Sequence, residues 1–188
     1  MKKLSFFALF LVLTTCTFAQ NWNVDKSHSR LGFKVTRMGI TDFQGNFKNF
    51  TVSITPGKNG FEGATMDVNI DANSINTEND ARDNHLRSSD FFDVEKYPAI
   101  TYKSGPWKKT GDKTYVSEGT MTFNGVTKNV TIDIKVNGTL TNEKSKKEMA
   151  GITMNATFKR SDFNFVSGAP EATLSDVVTL FATGEFSK

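Results

Sequence analysis

Few side chains in this 188-residue sequence could carry catalytic chemistry. The sequence contains two histidines, His28 and His85, and a single cysteine, Cys16. A three-histidine zinc site is therefore excluded, and a site of two histidines and one carboxylate would need Asp25 or Asp83 to converge with both histidines. No Gly-x-Ser-x-Gly motif, glycine-rich phosphate loop or dinucleotide fingerprint occurs. We predict no catalytic residue, no metal site and no cofactor.

The charge balance and hydropathy exclude two further classes of protein. The 23 Lys and Arg residues nearly balance the 20 Asp and Glu residues, and the net charge of +3 is too small for a nucleic-acid-binding face. No stretch of 18 or more apolar residues is present, so no membrane-spanning helix is predicted. The length suits one domain with a core large enough to fold without disulfides.

Residues 1–19 have the features of a secretory signal peptide. Met1-Lys2-Lys3 is positively charged, Leu4 to Leu13 is apolar apart from one serine, and Thr17-Phe18-Ala19 offers small residues for signal peptidase. We predict cleavage after Ala19, a single mature domain over residues 20–188, and a periplasmic or secreted location. Loss of two lysines lowers the net charge to +1.

A lipoprotein signal is the alternative interpretation of the same segment. Leu13-Thr14-Thr15-Cys16 would then be processed and Cys16 acylated, but Thr15 fits the small-residue position of such sites poorly. Cleavage after Ala19 would instead leave a mature chain without cysteine, which can use neither disulfides nor thiol chemistry.

Alternation of apolar and polar residues, the pattern of a half-buried strand, predicts eight strands in the mature chain. The apolar members of the eight runs are Leu31, Phe33 and Val35; Phe50, Val52 and Ile54; Ala64, Met66, Val68 and Ile70; Ile100 and Tyr102; Met121 and Phe123; Val130, Ile132, Ile134 and Val136; Ile152, Met154, Ala156 and Phe158; and a last segment, Val177 to Phe186, that is partly apolar on both faces.

Turn and helix signals separate these runs. Asn124-Gly125 predicts a type I′ hairpin turn, since both residues tolerate positive φ. Pro56 to Gly60 predicts a turn between the second and third strands, and Gly138 to Lys147 predicts a polar hairpin loop. Glu78 to Ser88, opened by the capping-box pattern Thr77-x-x-Asp80, is the one predicted helix and lies between strands three and four.

Eight consecutive antiparallel strands predict a closed or doubled sheet. A flat sheet of this size would expose two edges and one apolar face, which closure into a barrel avoids. A barrel of eight strands is filled by side chains or holds one small ligand. The alternation also permits a two-sheet sandwich, and a plain packed core explains each single apolar residue equally well.

Several motifs in this order resemble those of a known family. They are Trp22-x-x-Asp25-x-x-His28-Ser29, Phe33-x-Val35 and Gly45-x-Phe47; then Ser74-Ile75-x-Thr77, Arg82-Asp83-x-His85-Leu86-x-Ser88-x-Asp90-Phe91-Phe92-Asp93 and Tyr97-Pro98-x-Ile100; and finally Gly119-x-Met121-Thr122, Gly125-Val126-Thr127-Lys128 and Arg160-x-Asp162-Phe163. From about Asn21 to Ser187 the chain resembles the YceI-like family of exported bacterial proteins. It departs from many members at Val35-Thr36-Arg37-Met38, where they have a histidine after the valine.

The resemblance implies an all-β fold, an eight-stranded antiparallel lipocalin-like β-barrel with one short helix between strands three and four. It also implies a non-enzymatic carrier that holds an isoprenoid-type lipid, a polyprenyl chain or quinone, in the barrel. An ordinary fatty acid stays open as the ligand. The expected lining residues are Phe33, Val35, Phe47, Met66, Val68, Phe91, Phe92, Tyr102, Met121, Phe123, Ile132, Ile134, Met154, Phe158 and Phe181.

The polar motif residues have a structural interpretation. They are Asp25, His28, Arg82, Asp83, His85, Asp90, Asp93, Arg160 and Asp162, and most lie on the mid-chain helix and its exit, where they can cap, pair and fasten a segment across a barrel mouth. Contact with a lipid headgroup is the alternative. Arg160 would suit a lipid phosphate, and a buried network of Arg160 with Asp162 fits the sequence equally well.

An enzyme is the alternative function. It would be a hydrolase or isomerase acting on a lipid, using His28, His85 and nearby carboxylates. A homodimer also stays open, because a strand outside the barrel closure would offer an interface that no residue marks.

The signal-peptide interpretation predicts that the mature protein begins at Gln20. N-terminal sequencing of protein exported by its own host measures this directly. An acylated Cys16 as first residue would contradict the prediction and indicate a membrane-tethered lipoprotein.

Overall fold

The computed structural model describes residues 20–188, and the predicted signal peptide lies outside this range. The strands are β1 (Trp22–Arg37), β2 (Thr41–Phe47), β3 (Phe50–Gly57), β4 (Gly60–Asp71), β5 (Ile75–Asn76), β6 (Ala99–Ser104), β7 (Lys108–Gly111), β8 (Thr114–Phe123), β9 (Val126–Thr141), β10 (Glu148–Lys159) and β11 (Val177–Ser187). One α-helix, α1 (Asp80–Arg87), and two short 3-10 helices, Ala72–Ser74 and Arg160–Phe163, complete the described elements. No helix within residues 20–188 has the length and apolar character needed to cross a membrane.

Eight strands form a closed antiparallel barrel. The ring runs β1, β3, β4, β6, β8, β9, β10 and β11, and β11 pairs with β1 to close it. In this closing ladder Leu31 lies opposite Ala182, and Phe33 lies opposite Leu180. Closure leaves no unpaired edge in the ring and buries one face of every strand inside it. The predicted all-β, eight-stranded barrel with a helix between its third and fourth ring strands is confirmed.

Strand β1 pairs with two different strands along one of its edges. Its beginning pairs with β3 through Trp22 and Ile54, whereas Leu31–Arg37 pairs with β2. The two-residue strand β5 then pairs with β2 through Phe47 and Ile75. This β1–β2 hairpin lengthens the wall at one end of the barrel.

An aromatic stack fills the opposite end, where β1 begins. The Trp22 and Phe61 rings lie 5.5 Å apart between centroids, and Phe61 lies 6.0 Å from Trp107. Trp107 is almost fully buried and also contacts Tyr115 at 6.0 Å. Rings packed at these separations exclude water, so this end, called here the far end, is closed.

All eight predicted strands occur, but β2, β5 and β7 were not predicted. The β2 pattern is interrupted at Gly45, where an added Cβ would lie 2.4 Å from the Phe33 ring. Because the Phe33 ring leaves no space for a side chain at position 45, the residue there is glycine, and the apolar–polar alternation of β2 lacks one apolar member. Strand β7 is exposed along its whole length, and β5 has only two residues, so neither carries an alternation.

The predicted turn between β8 and β9 is confirmed. Asn124 and Gly125 have φ values of 49° and 72°, as a type I′ turn requires. The predicted loop over Gly138 to Lys147 is too long, because β9 continues to Thr141 and β10 begins at Glu148.

The helix is present but begins differently from the capping-box prediction. Asn79, not Thr77, is the N-cap, and its side chain accepts a hydrogen bond from the Arg82 N–H. Thr77 instead donates its N–H and its hydroxyl to the buried Asp83 carboxylate. The Asp83 side chain therefore connects the helix to Thr77, the residue that follows strand β5 by one position.

Close packing inside the barrel predicts that Gly119→Ala destabilises the protein. The new Cβ would lie 2.4 Å from the Lys103 carbonyl oxygen and 2.6 Å from the Tyr102 ring. We expect a loss of about 1–3 kcal/mol in the free energy of unfolding, measured by urea denaturation. Gly138→Ala is the matched control: nothing lies within 4 Å of its new Cβ, so stability should stay unchanged or rise by about 0.5–1 kcal/mol.

Candidate functional site

A cavity of 790 Å³ occupies the end of the barrel opposite the aromatic stack. Its inner walls are apolar and come from β1, β2, β4, β6, β8, β10, β11 and helix α1. Its exposed lining residues mark its opening, called here the mouth: Arg37, Thr41, Arg82, His85 and Thr173. The volume and apolar lining are those of a small-molecule site.

Phenylalanine rings form a continuous wall of this cavity. Phe92 lies 6.0 Å from Phe47 and 4.8 Å from Phe165, measured between ring centroids. Phe123 lies 4.8 Å from Phe165 and 6.4 Å from Phe158. The rings meet tilted or edge to face, an arrangement that packs well while leaving a smooth apolar surface.

A second cavity of 70 Å³ lies deeper in the barrel. Both cavities have Ile70, Ile100, Met121 and Leu180 in their walls. Rotation of these side chains would join the two spaces, and an unbranched methionine adapts readily. The apolar interior can therefore lengthen toward the far end.

The predicted lining residues divide between the two cavities. The larger cavity is lined by Phe33, Val35, Phe47, Phe91, Phe92, Met121, Phe123 and Phe158. The smaller one is lined by Met66, Val68, Tyr102, Met121, Ile132 and Met154. Ile134 is buried in the packed core and lies on the wall of neither.

Phe181, the last predicted lining residue, borders the smaller cavity, but its ring lies on the outer side of the wall. It pairs with Gly32, and an added Cβ on that glycine would lie 2.5 Å from the Phe181 ring. Since residues paired across a ladder share a face, and Leu31 and Phe33 on either side of Gly32 face inward, the Phe181 ring covers Gly32 on the outer surface. Its neighbours Leu180 and Ala182 face inward instead.

Several lining residues were not predicted. Phe43 lies on the unpredicted strand β2, and Phe165, Val166 and Leu174 lie on the connection between β10 and β11. Phe43 and Phe47 lie four residues apart and so on the same face of a strand, a signal that could have identified Phe43. The residues of the connection have no period and become lining only because Arg160 folds this segment over the mouth.

Arg160 is 3% exposed and organises that connection. Its guanidinium donates only to main-chain carbonyls, those of Phe165, Val166, Ala169, Leu174 and Ser175. The alternative of a buried network with Asp162 is not formed, because Asp162 is exposed and makes no hydrogen bond to Arg160 among the described residues. All three donor nitrogens of Arg160 are engaged, so its role is to hold the connection in place.

Arg82 is fixed at the mouth by the strand that precedes its helix. Its Nε donates to the Thr77 hydroxyl at 2.8 Å, and its Nη2 donates to the Thr77 carbonyl at 2.7 Å. The guanidinium also lies 4.6 Å from the centroid of the Phe43 ring. Asp83, buried on helix α1, accepts hydrogen bonds from Thr77, so a chain of contacts orients a cation at the cavity entrance.

The remaining motif residues of this region lie around the helix exit. His85 lines the mouth; its Nε2 is 3.5 Å from the Asp90 carboxylate, and its ring meets the edge of Phe91 at 4.9 Å. Asp93 has a φ of 44° and forms the turn after the helix, where its carbonyl accepts from Lys96 and Tyr97. These contacts support a structural role.

Asp25 and His28 lie away from the cavity, at a bulge where the pairing of β1 with β11 shifts register. His28 Nδ1 is 2.9 Å from Asp25 and 3.9 Å from Glu185. The hydrogen bond that the His28 ring donates to the Asp25 carboxylate raises the pKa of His28, and the same bond lowers the pKa of Asp25. Ligand atoms of these three residues lie within 4.8 Å of one another, a spacing that a metal ion could use, but all three side chains are solvent-exposed.

The two histidines do not form a joint site. His28 meets Asp25 and Glu185 on the outer surface, whereas His85 meets Asp90 at the mouth. The iron-type arrangement of two histidines with Asp25 or Asp83 is therefore not formed among residues 20–188. Asp83 is itself engaged by Thr77.

Comparison with known proteins agrees with this geometry. The family model described as YceI-like domain matches residues 22–186. The chain belongs to the YceI-like family. Protein YceI of Salmonella agona is 33% identical over 163 residues, which cover 86% of this chain and 84% of the relative.

Two solved structures show the same barrel. A Campylobacter jejuni YceI protein has a TM-score of 0.75 and 31% identity, covering 98% of this chain and 99% of its own. A polyisoprenoid-binding domain from Saccharophagus degradans has a TM-score of 0.60 at 14% identity, covering 90% of this chain and 98% of its own. At that identity the second likeness shows the fold alone.

The contact with Asp25 predicts the titration of His28. Because the folded pKa of His28 lies above its ordinary value of 6.5, protonated His28 favours the folded state. This stabilisation is fully present below about pH 6.5 and disappears as the pH rises through the folded pKa. An NMR titration should give a midpoint above 6.5, and Asp25→Asn should lower it. Asp90→Asn, which changes the partner of the other histidine, should leave the His28 midpoint unchanged; an unchanged midpoint in Asp25→Asn would contradict the assignment.

Proposed function

We propose that this protein is an exported, non-enzymatic carrier that holds the chain of an isoprenoid-type lipid inside its barrel. The observation that carries the proposal is the 790 Å³ apolar cavity, closed at the far end and open at the mouth. A polyprenyl or quinone tail presents only methyl, methylene and vinyl surface. Such a chain needs an apolar cavity and no polar contact along its length.

Burial of the chain supplies the binding free energy. Each Å² of apolar surface removed from water contributes about 25 cal/mol, so a long chain gains several kcal/mol. Ordering the flexible chain reduces this gain considerably. The pre-formed phenylalanine wall limits the further cost of arranging the protein.

The fold of the neighbour from Saccharophagus degradans supports this ligand class, since that domain is described as polyisoprenoid-binding. Adaptable side chains support it as well. Met121 separates the two cavities, and its movement would let a longer chain extend toward Met154 and Tyr102. Burial raises the pKa of Tyr102, whose phenol is uncharged near neutral pH and so adds no charge to this apolar space.

The mouth suits the polar end of such a lipid. Arg37 and Arg82 border it, and the lining contains no carboxylate. A quinone carbonyl or a phosphate oxygen can accept a hydrogen bond from either guanidinium. The polar groups that could otherwise act in catalysis are engaged in contacts within the fold, which supports a carrier.

Export completes the proposal. The charge, apolar run and cleavage signal of residues 1–19 support transfer out of the cytoplasm. A carrier of water-insoluble lipid outside the cytoplasm would move its cargo between membranes or hold it away from water.

The direct test is native mass spectrometry of the protein purified from its own host, followed by lipid extraction. A co-purifying isoprenoid supports the carrier. An empty protein that converts an added lipid would support the alternative enzyme, and a co-purifying fatty acid would replace the isoprenoid as the ligand.

The cavity wall predicts that Met121→Trp blocks binding without unfolding the protein. Met121 borders both cavities, so the larger ring has space to enter but fills the path of the chain. We expect the affinity for geranylgeraniol, measured by tryptophan fluorescence, to fall at least about tenfold. The free energy of unfolding should change by less than the ~1–3 kcal/mol typical of overpacking a filled core.

The neighbouring residue supplies the control. Thr120 is exposed on the outer face of the same strand, since side chains alternate along β8. Thr120→Trp should bind geranylgeraniol as the wild type does. Strong destabilisation of Met121→Trp together with normal binding by the remaining folded protein would show that Met121 belongs to a packed core.

A further inference from the structure

The turn between β1 and β2 exposes large apolar side chains beside the cavity mouth. Met38 is 52% exposed and Ile40 is 86% exposed. Among residues 20–188 only two other large apolar residues are exposed, Val177 and Leu140. We call residues 38–40 the apolar tip. Leu140 lies at the far end, whereas the apolar tip and Val177 lie at the end that carries the mouth.

The apolar tip is built into the rim of the cavity. Its flanking residues Arg37 and Thr41 both line the mouth. The Met38 N–H donates to the Thr173 carbonyl at 3.0 Å, and Arg37 forms a β-bridge with Leu174. The tip is thus fastened to the connection that covers the cavity, and its position relative to the opening is defined.

The backbone of the tip points to a role for the Met38 side chain. Met38 has a φ of 55°, in the left-handed region where glycine or asparagine costs less. Gly39, the next residue, has a φ of 67° and carries no side chain that would shield its neighbours. A large apolar residue is therefore held outward in a conformation that disfavours it, which is common where a side chain serves binding.

Charge accompanies the exposed apolar surface. Arg37 adjoins the tip and makes no ion pair with any described residue. Arg82 is a second exposed cation at the mouth, and the cavity lining includes no carboxylate. An apolar protrusion next to an exposed, unpaired arginine is a combination that binds anionic bilayers, with the apolar part entering the headgroup region.

We propose that the apolar tip inserts into the surface of an anionic phospholipid bilayer and sets the cavity mouth against the membrane that supplies or receives the lipid. This inference rests on the proposed function, since only a carrier of membrane lipid needs such a contact. A chain that is insoluble in water can pass from bilayer to cavity without crossing solvent if the mouth faces the membrane. Burial of Met38 and Ile40 would supply the attraction.

The test compares two variants of the full chain as its host processes it. Met38→Asn with Ile40→Ser removes the apolar tip, and asparagine suits the left-handed backbone at position 38. Leu140→Ser, at 62% exposure on the far end, is the matched control. Both variants should keep the wild-type melting temperature, because the substituted side chains are solvent-exposed.

Vesicles of phosphatidylethanolamine and phosphatidylglycerol are the probe, with pure phosphatidylcholine vesicles for comparison. In flotation the wild type and Leu140→Ser should bind the anionic vesicles, and the double variant should bind at least about tenfold more weakly. Extraction of geranylgeraniol from the vesicles should slow by a similar factor in the double variant. Affinity for geranylgeraniol added in solution should be equal in all three proteins.

Other results would overturn the inference. These are equal flotation of the double variant and the wild type, equal loss of binding in Leu140→Ser, absence of wild-type binding, or equal binding to phosphatidylcholine. Sedimentation velocity tests whether the apolar tip instead binds a second copy of this chain. If the wild type is a dimer, the double variant is a monomer and both bind vesicles equally, the tip belongs to the dimer interface. Failure of the proposed function looks different, because the wild type would then float with the vesicles and bind no geranylgeraniol.

Discussion

The pairing of β1 with β11 is the interaction on which the rest of the structure depends. It joins the first and last strands of the domain, and without it the sheet would have two open edges and an apolar face in water. Closure makes the inner face of every ring strand an interior. It also pairs Gly32 with Phe181 and Phe33 with Leu180. The Phe181 ring therefore lies on the outer face of the barrel and the Phe33 ring on the inner face.

A closed ring of eight strands encloses more space than the side chains of this sequence fill. At the far end, Trp22, Phe61, Trp107 and Tyr115 stack and leave no opening. At the other end the phenylalanines lie against the walls and leave a cavity between them. The aromatic rings thus fill the barrel at the far end, where they stack on one another, and leave a cavity at the mouth, where they line the walls. The far end of the barrel is tightly packed, whereas the side chains around the cavity have space to move.

The mouth depends on cations whose hydrogen bonds are made within the chain. Arg160 binds five carbonyls of the connection that folds over the cavity, and the Thr77–Asp83 pair orients Arg82. Most motif residues thus build the entrance and leave the apolar walls to hold a ligand. Loss of either arginine would remove hydrogen bonds that hold these carbonyls in place, and the entrance would lose its shape before the barrel did.

The sequence by itself determined the eight ring strands, the Asn124-Gly125 turn and the apolar character of the interior, because a period of two and turn chemistry are local properties. Family motifs extended this to the closed barrel. Only the tertiary structure decided which apolar residues face a void. Val177 to Phe186 is apolar on both faces, so its period could not show that Phe181 points outward; the register with Gly32 decided this. Strand β2 was likewise hidden, because its Gly45 is required by Phe33 on another strand. The partners of Arg160 are main-chain carbonyls, which every residue has, so no side-chain pattern could identify them.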